Sequence, residues 1–215
     1  MAAFIIPKIR TYTHKGALMR IKERINVMKT ILICNQKGGV GKTLIADELA
    51  FALEKDEINY TFFDLDQQGG SLHEGHEDEN SQVQVIDTPG ALQKDLKKYM
   101  EAADYIVIPT MMSNRDMQPL INTLEIYNSI KDKAPAIVVF NRWKKTNIAK
   151  DFTAWFDVAY PDIHTAILCD ATAFNDAGAR AISIEKFKAS SNGAKQIREI
   201  YSVIKHELNL KEGYR

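Results

Sequence analysis

From residue 29 onward the chain alternates between two patterns of apolar and polar positions. Six short runs are apolar at most positions: TILIC (30–34), YTFFDLD (60–66), VQVID (83–87), DYIVIP (104–109), AIVVF (136–140) and HTAILC (164–169). Such runs have the length and composition of strands covered on both faces. Between them apolar residues recur at helical spacing. Ile45, Leu49, Ala52 and Leu53 do so within Thr43 to Glu54, and Leu120, Ile121, Leu124 and Tyr127 within Met117 to Ile130. This alternation predicts an α/β fold, a mostly parallel twisted sheet with helices on both faces. Ligands of such sheets bind at the carboxyl ends of strands, so the residues that follow each apolar run are where chemistry is to be sought.

Two segments break the rhythm. Residues 1–27 carry no convincing strand, and Met28-Lys29-Thr30 makes a natural start for the first one. The expectation is a basic N-terminal extension over 1–27, read as a disordered arm or as the product of an upstream start codon, followed by a single domain over 28–215. The second exception, GGSLHEGHEDENSQ (69–82), is acidic and poor in apolar residues. It reads as a solvated loop, and that flexible composition argues against a metal site at His73 and His76.

Composition narrows the classes. A chain of 215 residues that is 45% hydrophobic can bury one substantial core. The formal charge is zero but unevenly spread: Lys8, Arg10, Lys15, Arg20, Lys22 and Arg24 against Glu23 leave the first 27 residues at +5. Cys34 and Cys169 sit inside apolar runs without metal-ligand spacing, as buried free thiols do in a reducing compartment. No apolar run approaches the ~18 residues that span a bilayer, and charges occupy the place of a signal peptide's apolar block. The expected location is the cytoplasm.

The residues after three of the runs form an ordered set. CNQKGGVGKTL (34–44) places Gly38, Gly39 and Gly41 between a strand and a helix. There, backbone N–H groups and the helix dipole make a phosphate site. In a phosphate loop Lys42 reaches the β- and γ-phosphates and the Thr43 hydroxyl binds Mg²⁺. The strict pattern wants glycine five places before Gly41, where Gln36 stands, and it has no use for Lys37. Asp64 and Asp66 share one side of an extended chain at the end of the second run. Asp87 ends the third, in IDTPG, as does a carboxylate that holds Mg²⁺ through water; Pro89 and Gly90 would give a turn able to sense the terminal phosphate. Each piece alone also suits a strand-end turn or cap, whereas the three in order are far more specific.

KGGVGKT, DLDQQG, IDTPG, ADYIVIPT and VVFNR, in that order, resemble the ParA/MinD family of deviant Walker A ATPases, over residues 29 to about 208. The likeness is strongest to the short ParA proteins that partition plasmids and lack an N-terminal DNA-binding domain. AGARAISIEKF and SSNGAKQIREIY, within Ala177 to Tyr201, look like the family's small-residue helix, Ser-Ile-x-x-Phe element and final helix. The resemblance implies a P-loop NTPase fold, an ATPase using ATP and Mg²⁺ with weak intrinsic activity, and a homodimer formed with ATP. Lys37 would be the signature lysine that crosses to the nucleotide of the other subunit. Lys42 would be the in-cis lysine, Thr43 the Mg²⁺ ligand with Asp64 and Asp87 near it, and Asp66 the carboxylate that positions the attacking water. Gly38, Gly39, Val40, Gly41, Lys42, Thr43 and Leu44 would bind nucleotide, Asn141 would read the adenine edge, and Asp87, Thr88, Pro89 and Gly90 would form switch II. Pro109 falls where the family carries a strand-end proline.

Three departures stand out. Leu44 replaces a second threonine, removing a hydrogen bond of roughly 1 kcal/mol. Gln67 replaces the proline of the usual DxDPQ string. Only 20 residues separate Asp66 from Asp87, which leaves no room for the further helix of relatives and puts a partner surface there in doubt.

The resemblance implies a DNA-partition switch: nucleoid-associated, binding nonspecific DNA and stimulated by a ParB-like centromere-binding protein, with no membrane contact. From Arg180 onward eight cations stand against four carboxylates, equally readable as a DNA face or a solvated helix surface, and Arg180, Lys195 and Arg198 are the candidate DNA contacts. The alternative is a MinD-like membrane-positioning ATPase, which would need a basic amphipathic terminal helix; Glu207 and Glu212 interrupt one here. A P-loop synthetase or an iron–sulfur reductase is a further alternative, but the reductase needs cysteines after switch II.

Overall fold

The computed structural model describes residues 28–66, 69–73, 75–90 and 95–211. The basic extension over 1–27, residues 67–68 of the DLDQQG string and Glu212 lie outside these residues.

Each apolar run becomes a strand: β1 (Lys29–Ile33), β2 (Tyr60–Asp64), β3 (Val83–Asp87), β4 (Tyr105–Thr110), β5 (Ala136–Trp143) and β6 (His164–Cys169). They form one sheet in the order β2-β3-β1-β4-β5-β6, with every pairing parallel. The helices are α1 (Lys42–Lys55), α2 (Leu96–Ala102), α3 (Asn114–Asn128), α4 (Asn147–Ala159), α5 (Thr172–Gly178), α6 (Ile184–Lys188) and α7 (Asn192–Glu207). The sequence pattern locates α1 and α3. It leaves α2 and α4 unassigned, although Ala149, Phe152 and Phe156 of α4 are buried at helical spacing.

The period-2 geometry of strands explains why the runs are apolar throughout. Ile31 and Ile33 face a core shared with α1, α5, α6 and α7, where Leu49, Phe174, Ile184 and Ile200 are buried. Leu32 and Cys34 face the opposite core with α2, α3 and α4, containing Tyr99, Leu124 and Phe156. Serines start the last two helices: Ser183 accepts from Lys186 N at 3.0 Å and Ser191 from Ala194 N at 3.1 Å, which satisfies N–H groups that a helix start leaves open. Buried Glu48 ties α6 to α1 by accepting from Ile184 N at 2.9 Å.

Two expectations need correction. The 69–82 segment is not uniformly solvated. His73 is buried, with Nδ1 2.8 Å from Asp47 Oδ1 on α1 and its ring 4.3 Å from that of Phe51. A buried carboxylate on α1 demands partners, and Ser71 Oγ (2.7 Å) and Leu72 N (2.9 Å) donate to the same oxygen, which pins an otherwise polar loop. Among the described residues no cluster suited to a metal includes these histidines. Second, Cys34 is buried but Cys169 is only partly so, because it ends β6 at an open edge of the sheet.

Candidate functional site

The loop from Cys34 to Gly41 joins β1 to α1 at the carboxyl end of the sheet. Gly39 (φ +74°) and Gly41 (φ +95°) take left-handed backbone, which turns the chain into the first residue of α1. A side chain on Gly41 would place its Cβ 2.1 Å from Asn141 Nδ2. The loop is braced from below. Asn35, almost fully buried, donates to Pro109 O at 2.8 Å and accepts from Lys37 N at 2.9 Å. Gln36, at the position of the missing glycine, donates its N–H to Thr123 Oγ1 on α3 at 3.2 Å.

The two lysines go different ways. Lys42 is buried and its Nζ donates to Lys37 O at 3.0 Å, inside the loop. Burial holds its ammonium below the usual lysine range, while Asp87, Asp66 and Cys34 pull it back up. Lys37 turns outward to α3, where Nζ pairs with the buried Asp116 carboxylate and donates to Arg115 O at 3.3 Å. Pro119 explains why that carbonyl is available: proline has no N–H, so the carbonyl four residues earlier, Arg115 O, loses its helical partner.

Opposite the loop, Thr43 Oγ1 donates to Asp87 Oδ2 at 2.6 Å. Asp87 is fully buried, and its Oδ1 has no hydrogen-bond partner among the described residues. Asp64 pairs with Asp87 across β2 and β3, and its Oδ1 accepts from Asp66 N at 2.9 Å. A hydroxyl and carboxylates form the all-oxygen donor set that suits Mg²⁺, and the open oxygen of Asp87 fits such an ion. The turn after β3 is anchored at its start, where Thr88 Oγ1 donates to Ile33 O at 2.9 Å. Gly90 lies so close to the loop that a Cβ there would sit 2.6 Å from Gly38 N, so the approach of the two backbones requires a glycine.

The structure therefore brings Lys37, Gly38, Lys42, Thr43, Asp64, Asp66, Asp87, Thr88 and Gly90 to one end of the sheet. Asn141 lies beneath the loop: its Nδ2 donates to Val40 O and its Oδ1 accepts from Arg142 N, each at 2.8 Å. An adenine contact would have to use the amide's second hydrogen or the second lone pair of its oxygen. Leu44 packs against the α1 core, which accounts for an apolar residue where relatives carry a hydroxyl. The DNA candidates lie apart in the C-terminal segment, Arg180 in the turn between α5 and α6 and the other two on α7. Arg180 sits 5.0 Å over the Phe187 ring, Lys195 is exposed on α7, and Arg198 pairs with Glu185 and donates to Ala189 O at 3.1 Å. Asn35, Asp116 and Thr123 carry no motif that marks them; only the polar Asn35 at the end of an apolar run offers a signal.

Burial pushes the Asp87 carboxyl up to about 7, helped by Asp64 and opposed by the Thr43 hydrogen bond and Lys42. The ordinary value is 3.8, so the folded state holds this proton more tightly than the unfolded chain. The resulting stability is fully present below about pH 4 and is lost as pH rises through about 7. Mg²⁺ needs the charged form, so its binding should have the opposite pH slope. The unfolding temperature of the nucleotide-free protein should fall from about pH 5 to about pH 8, with Mg²⁺-nucleotide restoring most at the alkaline end. Glu48, also raised to about 7 by burial, adds to the same slope, so Asp87→Asn is the control. It should flatten the slope in part and remove the Mg²⁺ effect; an unchanged slope would exclude Asp87 as its source.

Among curated proteins none matches the chain. Solved structures with the same fold include McdA of Cyanothece in complex with ATP (17% identity, TM-score 0.66, covering 87% of this chain and 99% of that one). The cell division ATPase MinD of Pyrococcus furiosus is similar at 18% identity and TM-score 0.61, covering 83% of this chain and 98% of that one. A plasmid partition protein of Borrelia burgdorferi follows at 15% identity and TM-score 0.58, with 84% and 99% covered. The family described as the CobQ/CobB/MinD/ParA nucleotide binding domain matches residues 31–211. With its phosphate loop, paired lysines and carboxylate pair at one end of a parallel sheet, the chain belongs to that family.

Proposed function

We propose that the chain is an ATP-dependent switch for DNA partition, whose ATP-bound form pairs with a second copy and binds DNA without reading sequence. The observation that carries this reading is the divergence of the two lysines. Lys42 stays within its own loop, whereas Lys37 leaves it, held by an exchangeable ion pair with Asp116. A cation held outside its own loop is suited to a nucleotide facing it from another copy, where two triphosphates would otherwise repel.

Thr43 and Asp87, with Asp64 beside them, are the residues that would hold Mg²⁺, which when bound neutralises charge on the β- and γ-phosphates. Asp66 orients water toward the γ-phosphorus, and ADP and phosphate are released. Gly90, packed against Gly38, transmits the loss of the γ-phosphate to switch II. Hydrolysis then undoes the dimer, and a ParB-like partner accelerates that step.

The apolar side of α7 supports DNA rather than a membrane as the surface engaged. Ile197, Ile200, Tyr201 and Ile204 are buried against the sheet, so this helix has no apolar face to offer a bilayer. Among the described residues no helix is long and apolar enough to cross a membrane.

DNA binding measured against salt with ATP, ADP and no nucleotide tests the proposal. Binding should appear with ATP alone and weaken steeply with salt, and Arg180→Ala or Lys195→Ala should lower the salt slope by about one for each phosphate no longer neutralised. ATP-dependent liposome binding without DNA binding would instead establish the membrane reading.

A further inference from the structure

The sheet ends at β6, and its outer side is open. Five of its six residues, all but Leu168, are exposed or half-buried, with Ile167 38% exposed. Asp170 N donates inward to Trp143 O on β5, while Cys169 N points outward and donates to Gln196 Oε1 at 2.9 Å. Strand alternation turns the backbone groups of Ile167 and Thr165 to the same outward side as Cys169. Gln196 thus caps one rung, and among the described residues nothing caps the next two. Native proteins protect such an edge with lysine, proline or a bulge in the strand, and HTAILC has none of these.

A groove of about 550 Å³ runs along this edge between α4 and α7. Its floor includes Phe140 and Ile167, and its walls carry Asp157 and Glu199; no lysine or arginine is among the described residues that line it. We propose that the β6 edge is a docking site for an extended segment of a protein partner, a strand alternating apolar and basic side chains. Its backbone pairs with Thr165 and Ile167, its apolar side chains enter the groove, and its cations reach Asp157 and Glu199. A helix would leave the open backbone groups unpaired. A second copy of β6 would bring its own Asp157 and Glu199 toward the same carboxylates, and like charges juxtaposed across an interface are unfavourable.

The probe is a fluorescent decapeptide of alternating lysine and valine, compared with its glutamate–valine counterpart, on the full-length protein. Only the lysine peptide should bind, and it should slow amide exchange at Thr165 and Ile167 about ten-fold or more. Asp157→Lys/Glu199→Lys should weaken binding about ten-fold. Thr165→Pro keeps both carboxylates but removes an outward N–H, which an edge strand tolerates, and it should also abolish binding. Retained ATP binding in each variant verifies the fold. Binding that survives Thr165→Pro would reduce the site to charge attraction and overturn the proposal. Equal binding of both peptides, or concentration-dependent self-association removed by Thr165→Pro with no peptide binding, would overturn it too.

Discussion

Lys37→Ala is expected to abolish ATP-induced dimers, seen as a single monomeric mass by light scattering with ATP, while the monomer still binds nucleotide through Lys42. A cation supplied in trans to a transferring phosphoryl group is worth about 10³ to 10⁵ in rate, so partner-stimulated hydrolysis should fall by about 10³. The same substitution strips Asp116, whose side chain is 1% exposed, of its cation. Leaving a buried carboxylate unpaired costs about 3–5 kcal/mol when both partners are buried. The cost should be smaller here because Lys37 is 27% exposed and Ser113 still donates to Asp116. Lys37→Ala/Asp116→Asn separates the two effects: it should recover the stability and remain monomeric. Asp116→Asn alone should release the lysine and lower the ATP concentration needed for dimers. Dimers that persist unchanged in Lys37→Ala would sink the trans-lysine reading.

Gly41→Ala should be nearly as damaging through a different mechanism. A non-glycine residue at φ +95° costs about 1–3 kcal/mol in backbone strain. The added Cβ would also meet Asn141 Nδ2 at 2.1 Å. Asn141 cannot yield cheaply, being 4% exposed with its amide engaged at both ends; freeing a buried polar group costs about 1–3 kcal/mol more. Because Gly41 directly precedes Lys42 and Thr43, the strain falls on the phosphate site. Nucleotide affinity measured by calorimetry should drop about 100-fold or more. Gly41→Ala/Asn141→Gly removes the clash and keeps the strain, so it should recover part of the affinity. Wild-type affinity in Gly41→Ala would show that the loop has another conformation available.

The strands show how much of the fold is legible in the chain. VQVID is a strand over the residues its apolar run marks, because a strand buried on both faces must be apolar at successive positions; HTAILC also coincides with its strand, although only Leu168 of it is buried. AIVVF marks only part of its strand: β5 continues to Trp143 through an irregularity at Phe140/Trp143, where Arg142 takes φ +52°. That bulge accompanies Asn141's turn beneath the loop, and nothing in its composition announces it. The 69–82 loop departs from its solvated composition because Asp47, which holds His73, lies on α1.

By itself the sequence determined what depends on neighbours in the chain: strand and helix periodicity, the glycines that let the loop turn, and the order of Lys42, Thr43, Asp64, Asp66 and Asp87 behind successive strands. These are local properties, set by spacing of a few residues. The tertiary structure decided what Lys37 touches, what supports Gly41, what Gly90 presses on and which strand has an open edge. Lys37 meets Asp116 across 79 residues and Asn141 meets Val40 across 101. Those separations close only because the order β3-β1-β4-β5 sets the carboxyl ends of strands distant in the chain side by side. The extra lysine was therefore visible as a residue without a task in its own loop, and its holding partner became visible only once β4 had placed α3 beside it.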